Sequence, residues 1–259
     1  MSRSKSEPRR HSSYRLEVCV ESIGDVITAQ SGGADRVELC GSLLEGGITP
    51  SHGFIAAALE RASVPVSVMI RPRGGDFVYD APELEVMRRD IELVRELGGS
   101  GVVLGVLRED GTIDAPRTRE LVEHARPLEV TFHRAFDMTR DLREALDVLL
   151  DVGVRRVLTS GGARSVPEEL DAIAEFVKRA GDRMSVMPGG GITEENLREV
   201  IARSRASEYH VSARGTCASP MRHRNERCAL GPAGDEYVRR GTDEERVRAF
   251  VEILRKEGS

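Results

Sequence analysis

Tryptophan is absent from the 259 residues, and aromatic side chains make up only 4% of them. Lysine is almost missing too, at Lys5, Lys178 and Lys256 alone against 35 arginines. With arginine as the default surface cation, an arginine here is not by itself a sign of function. No apolar run is long enough to cross a membrane, and none has the form of a secretory signal. Four cysteines, Cys19, Cys40, Cys217 and Cys228, are too few for a disulfide scaffold. Reduced thiols and a cytoplasmic setting are therefore expected. A positive excess is lacking as well: the formal net charge is −5, so neither nucleic acid nor an anionic membrane is expected as a partner. No G-x-G-x-x-G turn follows the first apolar run, which removes the dinucleotide-binding fingerprint.

What is present is a repeat of short β-rich runs, each followed by a helical pattern. The runs are LEVCV (16–20), RVELC (36–40), VSVMI (66–70), GVVLGV (101–106), EVTFH (129–133), RRVLTS (155–160), MSVMP (184–188) and EYHVS (208–212). Brief apolar runs of this kind suit parallel strands covered on both faces. Between them the helices carry their own punctuation. Ser22 can cap the first, Ser51 the second and Asp141 the fifth, while Gly32, Gly153 and Gly181 end helices. Thr193 with Asn196 opens the seventh helix, and Thr242 with Glu245 reads as a capping box for the eighth. Strict alternation eight times over predicts a single (β/α)8 TIM barrel over 16–259, with a doubly wound open sheet as the runner-up. Residues 1–15, polar, basic and Ser-rich, read as a disordered leader. Residues 212–241 are polar with little periodicity and follow the eighth strand, on the expected catalytic face.

A barrel of this type carries its site at the C-terminal ends of the strands. Inward positions follow a period of two. That selects Glu17 and Cys19, Glu38 and Cys40, Arg71 with Arg73 beyond it, Thr131 and His133, and His210 and Ser212. Burying such groups costs several kcal/mol each unless they pair or bind something. A salt-bridge network of Glu17 and Glu38 against Arg71 is one expectation, and a ligand pocket framed by it another. Glu17, Glu38, Arg71, His133 and His210 are the candidates for catalysis. Arg71 and Arg73, the turns Ser160-Gly161-Gly162 and Gly189-Gly190-Gly191, and Ser212 are candidates for holding an anion, because glycine-rich turns present backbone N–H groups. Cys19 and Cys40 end neighbouring strands, which lie about 4.8 Å apart in a sheet. Two thiolates at that range suit a soft ion such as Cu(I), but cysteine also packs well as a small apolar residue.

The segments LEVCVES, GGADRVELC, EGGITPS, VMIRPRGGDFVYD, VTFHRAFDM, RVLTSGG, MPGGGIT and EYHVSAR, in this order, give the chain a wider likeness. It resembles the CutC family of copper homeostasis proteins from Leu16 to about Asn225. The resemblance implies a TIM barrel, a cytoplasmic location and a part in copper handling. It also implies copper binding through two N-terminal cysteines, which correspond to Cys19 and Cys40. It gives Cys217 and Cys228 no role.

Three functions follow as expectations. One is a Cu(I)-binding homeostasis protein using Cys19 and Cys40. Another is an enzyme acting on a small anionic metabolite, phosphorylated or carboxylated, gripped by Arg71 and Arg73 with Glu17, Glu38 or His133 as acid or base. The last is a non-catalytic scaffold, with a homo-oligomer open in each case. Copper explains the cysteines and leaves the arginines without a task.

Overall fold

Eight short parallel strands alternate with helices along the chain. The computed structural model describes residues 13–225, 227–228 and 237–258. The strands are β1 (Arg15–Val20), β2 (Arg36–Leu39), β3 (Val66–Met69), β4 (Gly101–Leu104), β5 (Glu129–Phe132), β6 (Arg156–Thr159), β7 (Ser185–Pro188) and β8 (Glu208–Val211). The helices are α1 (Ile23–Gly32), α2 (His52–Arg61), α3 (Ala81–Glu96), α4 (Ala115–Ala125), α5 (Leu142–Val152), α6 (Leu170–Ala180), α7 (Leu197–Ser204) and α8 (Glu244–Glu257). The sheet order is β7-β6-β5-β4-β3-β2-β1-β8. A parallel bridge from Gly189, just past β7, to His210 of β8 brings the two ends together. This is the (β/α)8 barrel; a doubly wound sheet would reverse its strand order at a switch point.

Period-two alternation divides the strands between two environments. Leu16, Val18 and Val20 of β1, Val37 and Leu39 of β2, and Val66 and Val68 of β3 point outward into the main core, against α1, α2 and their neighbours. Each such side chain contributes about 1.5–3 kcal/mol by leaving water. The alternate positions point into the barrel and are largely polar: Glu17, Arg36, Glu38, Ser67, Thr131, Arg156 and Glu208 are all buried. The strands are thus apolar outside and charged inside.

Helix starts follow the sequence closely. Ser22 accepts from the Asp25 N–H, Ser51 from Phe54, and Asp80 forms a capping box with Glu83. The eighth helix departs from the expected Thr242 cap. Asp243 caps it instead, accepting from the Glu245 and Arg246 N–H groups. Thr242 is occupied elsewhere: it ends a strand, and its N–H donates to Asp25 Oδ1 at 2.7 Å. That strand, β10 (Val238–Thr242), pairs antiparallel with β9 (Arg214–Ala218). The segment read as irregular therefore holds a two-stranded ribbon, while the rest of that reading falls partly on 226 and 229–236, outside the described residues. Of the leader, only 13–15 are described, and Arg15 already belongs to β1.

Candidate functional site

The C-terminal ends of the strands enclose a cavity of about 430 Å³. Of the strand-end candidates Cys19, Glu38, Arg71, His133, His210 and Ser212 line it, as does the turn Gly189-Gly190-Gly191, while Glu17, Cys40 and Arg73 do not. Leu43, Met69, Phe77, Leu158 and Ile192 give it apolar walls. Arg134 and Asp137, which follow His133 in the chain, line it as well.

Beneath the cavity lies an ionic layer whose members are not those expected. Glu17 does not pair with Arg71. One of its oxygens takes the Nε–H of Arg36, and the other meets His210 Nδ1 at 2.8 Å. Arg36 also donates to Glu208 Oε2 at 2.8 Å, and Arg156 donates to the same oxygen at 2.7 Å. Arg156 reaches Thr131 and Glu129 besides. Burial alone would push the Glu17 carboxyl up, but Arg36 and His210 hold it at about 2. Since its ordinary value is 4.5, Glu17 contributes stability that is full above that pH and is lost as pH falls toward 2. Unfolding free energy measured against pH is expected to drop across this window. The drop should be shallower in Glu17→Gln, and an identical acid limb in the variant would remove Glu17 as its source.

At the cavity floor the Cys19 sulfur, a Glu38 carboxylate oxygen and a His210 ring nitrogen lie within 4.8 Å of one another. Register explains this: Cys19 is paired with Glu38 across β1–β2, and Glu17 with His210 across β1–β8. Burial works against a charge on His210, yet the surrounding Glu38, Cys19 and Glu17 hold its pKa well above the ordinary value. Burial raises the Glu38 carboxyl, and its Oε1 has no hydrogen-bond partner. Cys40 stands behind Glu38, donating Sγ–H to Oε2 at 3.4 Å. Burial and then Glu38 push its thiol pKa well up. Cys40 packs with Met69 and Val103, and it does not reach the cavity surface.

The upper wall is held by Arg71 and His133. Arg71 is 5% exposed. Its Nη1 donates to the carbonyls of Glu45 (2.7 Å) and Gly47 (3.0 Å), and its Nη2 to that of Gly75 (2.7 Å). It thereby ties the loop after β2 to the loop after β3, with Phe77 against its face at 4.9 Å. His133 is 4% exposed. Gly105 makes room for its ring, since a Cβ there would lie 2.5 Å from Cε1. The Ala135 N–H donates to Nδ1 at 3.1 Å, so the neutral ring carries its proton on Nε2. Burial, and then the Arg71 charge, push its pKa down to about 3. That Nε2–H has no acceptor among the described residues.

Two groups of predicted anion ligands are occupied by the protein itself. The N–H groups of Ser160 and Gly162 donate to Asp137, at 3.0–3.1 Å, and Thr159 and Ser160 add their hydroxyls. Gly161 N–H donates to Thr159 Oγ1. Positive φ at both glycines builds this nest, and the anion in it is the Asp137 carboxylate. Arg73 does not line the cavity either. It joins Glu83 at the start of α3, Asp76 and three carbonyls. Arg134 was passed over as a site residue. Its Nε pairs with Asp137 Oδ2 at 2.7 Å and its Nη2 with Ser160 Oγ at 2.6 Å.

Known proteins add a family context. The model of the CutC family matches residues 14–215. A copper homeostasis protein cutC homolog of Homo sapiens is 47% identical over 244 residues, covering 93% of this chain and 89% of its own. A family protein CutC of Chromobacterium violaceum is 47% identical over 242 residues, 93% of this chain and 98% of its own. The crystal structure of the putative copper homeostasis protein CutC from Streptococcus agalactiae superposes with a TM-score of 0.73 at 34% identity. It covers 77% of this chain and 98% of that one.

Proposed function

This chain belongs to the CutC family, and from that premise we propose that it handles copper, binding Cu(I) at the floor of the barrel cavity. One observation carries the reading: Cys19, Glu38 and His210 converge there within 4.8 Å. A thiolate and an imidazole are donors that Cu(I) accepts readily. Cys40 supplies a second thiol next to Glu38. Glu17 orients His210 from behind, a supporting role that metal sites commonly use. His210 must shed its proton to ligate, so copper should bind more tightly as pH rises. The cytoplasm is the proposed setting; among the described residues no helix is long and apolar enough to cross a membrane.

Anaerobic Cu(I) titration against a competing chelator tests the site. Cys19→Ala is expected to abolish binding. Cys40→Ala should weaken it by about 10–100-fold, the range for a group that supports a ligated neighbour. Unchanged affinity in both variants would falsify the cysteine site.

A second reading, a site for a small organic anion on which the protein acts, is favoured by one observation that copper leaves unused. The buried guanidinium of Arg71 donates to three neutral carbonyls and lies against the Phe77 ring. No carboxylate among the described residues forms an ion pair with it, although other buried arginines, Arg36 and Arg156, each have one.

A further inference from the structure

We propose that the upper half of the cavity binds a small organic monocarboxylate, with one carboxylate or adjacent carbonyl oxygen accepting the Nε2–H of His133 and the charge balanced by Arg71. This rests on the anion reading and narrows it to one ligand class and one donor.

A buried donor without an acceptor costs about 1–3 kcal/mol. His133 Nε2 is such an atom, on a side chain that is 4% exposed and lines the cavity. Its tautomer is fixed by the Ala135 N–H on the opposite nitrogen, so it can only donate. The ring cannot turn to escape, being packed against Phe77 at 4.9 Å and against Gly105. The neutral ring beside Arg71 is a fixed, oriented dipole; a preorganised donor of this kind favours an oxygen that carries negative charge.

The charge count then sets the class. Three cationic side chains line the cavity: Arg71, Arg134 and His210. Arg134 is matched by Asp137, and His210 by Glu17. Of the three, Arg71 alone forms no ion pair among the described residues. Its three carbonyl contacts occupy both Nη1 protons and one of Nη2, and Nε has no partner. One unpaired cation suits a singly charged ligand, and further negative charge on the ligand would meet the carboxylates of Glu38 and Glu45, which also line the cavity. A phosphate monoester, close to a dianion at neutral pH, would require a second free cation. The SGG turn, a candidate for holding an anion, is filled by Asp137. Leu43, Met69, Phe77 and Leu158 leave an apolar surface for the body of the ligand, and the volume suits a small molecule.

Benzoate, glycolate and inorganic phosphate are suitable probes for the metal-free full-length protein. Calorimetry would measure affinity, and the His133 Nε2–H resonance would be followed in protein with 15N-labelled histidine. Binding of a carboxylate that moves this resonance is the expected result. His133→Phe, which keeps a ring and removes the donor, should weaken that binding about 10–100-fold, as expected for a hydrogen bond to a charged group. The wild-type resonance decides the matter even if the variant folds poorly. A carboxylate that binds without moving the resonance would overturn the role of His133 and leave the anion reading standing. Binding of phosphate alone would overturn the monoanion class. Binding of no probe at millimolar concentration would overturn the inference and the anion reading together.

Discussion

Replacing Arg36 with alanine is expected to cost about 3–5 kcal/mol of folding stability, the range for removing one partner of a buried ion pair. Arg36 is 7% exposed and stands between two buried carboxylates, Glu17 and Glu208. Its loss leaves Glu17 with His210 alone and Glu208 with Arg156 alone. The Glu17 pKa, held down by Arg36 against the effect of burial, would then rise. Urea unfolding at neutral pH should show a lower midpoint with an unchanged slope, since the same surface is exposed on unfolding. Arg36→Met separates the causes: it fills much of the lost volume without the charge. A loss as large as that of the alanine variant would assign the effect to electrostatics. A loss below about 1 kcal/mol in both would mean that water or side-chain rearrangement already compensates these carboxylates. A functional consequence accompanies the cost. Glu17 fixes His210, so disturbing Arg36 should also weaken the proposed copper binding, although Arg36 is not among the converging donors.

The barrel itself was legible in the sequence because its signals are local. Eight apolar runs, helix caps at Ser22, Ser51 and Asp141, and glycines at helix ends require no knowledge of distant partners. The inward face was legible for the same reason. Period two along single strands placed Cys19, Glu38, His133 and His210 on one surface, and the cavity confirms that placement. Partnership was less legible. Glu17 and Arg71 were expected together, yet β1 register places Glu17 against Arg36 and His210. The alternations Arg36–Glu38 and Glu208–His210 did carry the signal that more charges point inward. What they lacked was any indication of which charges share a level of the barrel.

The loop residues were harder to place, because what occupies a loop depends on how other loops fold. Glycine turns after β6 and β7 look alike in sequence. One is closed by a carboxylate from 23 residues earlier, and the other lines the cavity. Arg71 and Arg73 sit two residues apart and have different surroundings: the first bridges two loops at the cavity wall, and the second anchors the start of α3. The β9–β10 ribbon is polar and without clean alternation, so no strand pattern announced it. The site is consequently better described by its unmatched atoms, Glu38 Oε1 and His133 Nε2, than by its charged residues, most of which are engaged with one another.

Asp137 provides the second large expected effect. Its carboxylate accepts from the N–H groups of Ser160 and Gly162, from the hydroxyls of Thr159 and Ser160, and from Arg134 Nε. Its side chain is 5% exposed, while that of Arg134 is 41% exposed. Asp137→Ala leaves the Ser160 and Gly162 N–H groups and the Thr159 hydroxyl without this acceptor, while the Ser160 hydroxyl keeps the Ala163 carbonyl and Arg134 keeps part of its hydration. The expected loss is about 3 kcal/mol, below the sum of the separate bonds because they act as one unit. Removal of the internal anion should also make the nest receptive to an external one. Added formate is expected to raise the thermal midpoint of Asp137→Ala more than that of the parent protein. Asp137→Asn, which keeps shape and loses charge, should be intermediate in stability and unresponsive to formate. The same change frees Arg134 as a second unmatched cation at the cavity. Inorganic phosphate, which the proposed monocarboxylate site is expected to exclude in the parent protein, should then bind. A variant as stable as the parent and indifferent to both anions would mean that Asp137 is not what holds the turn after β6 in place.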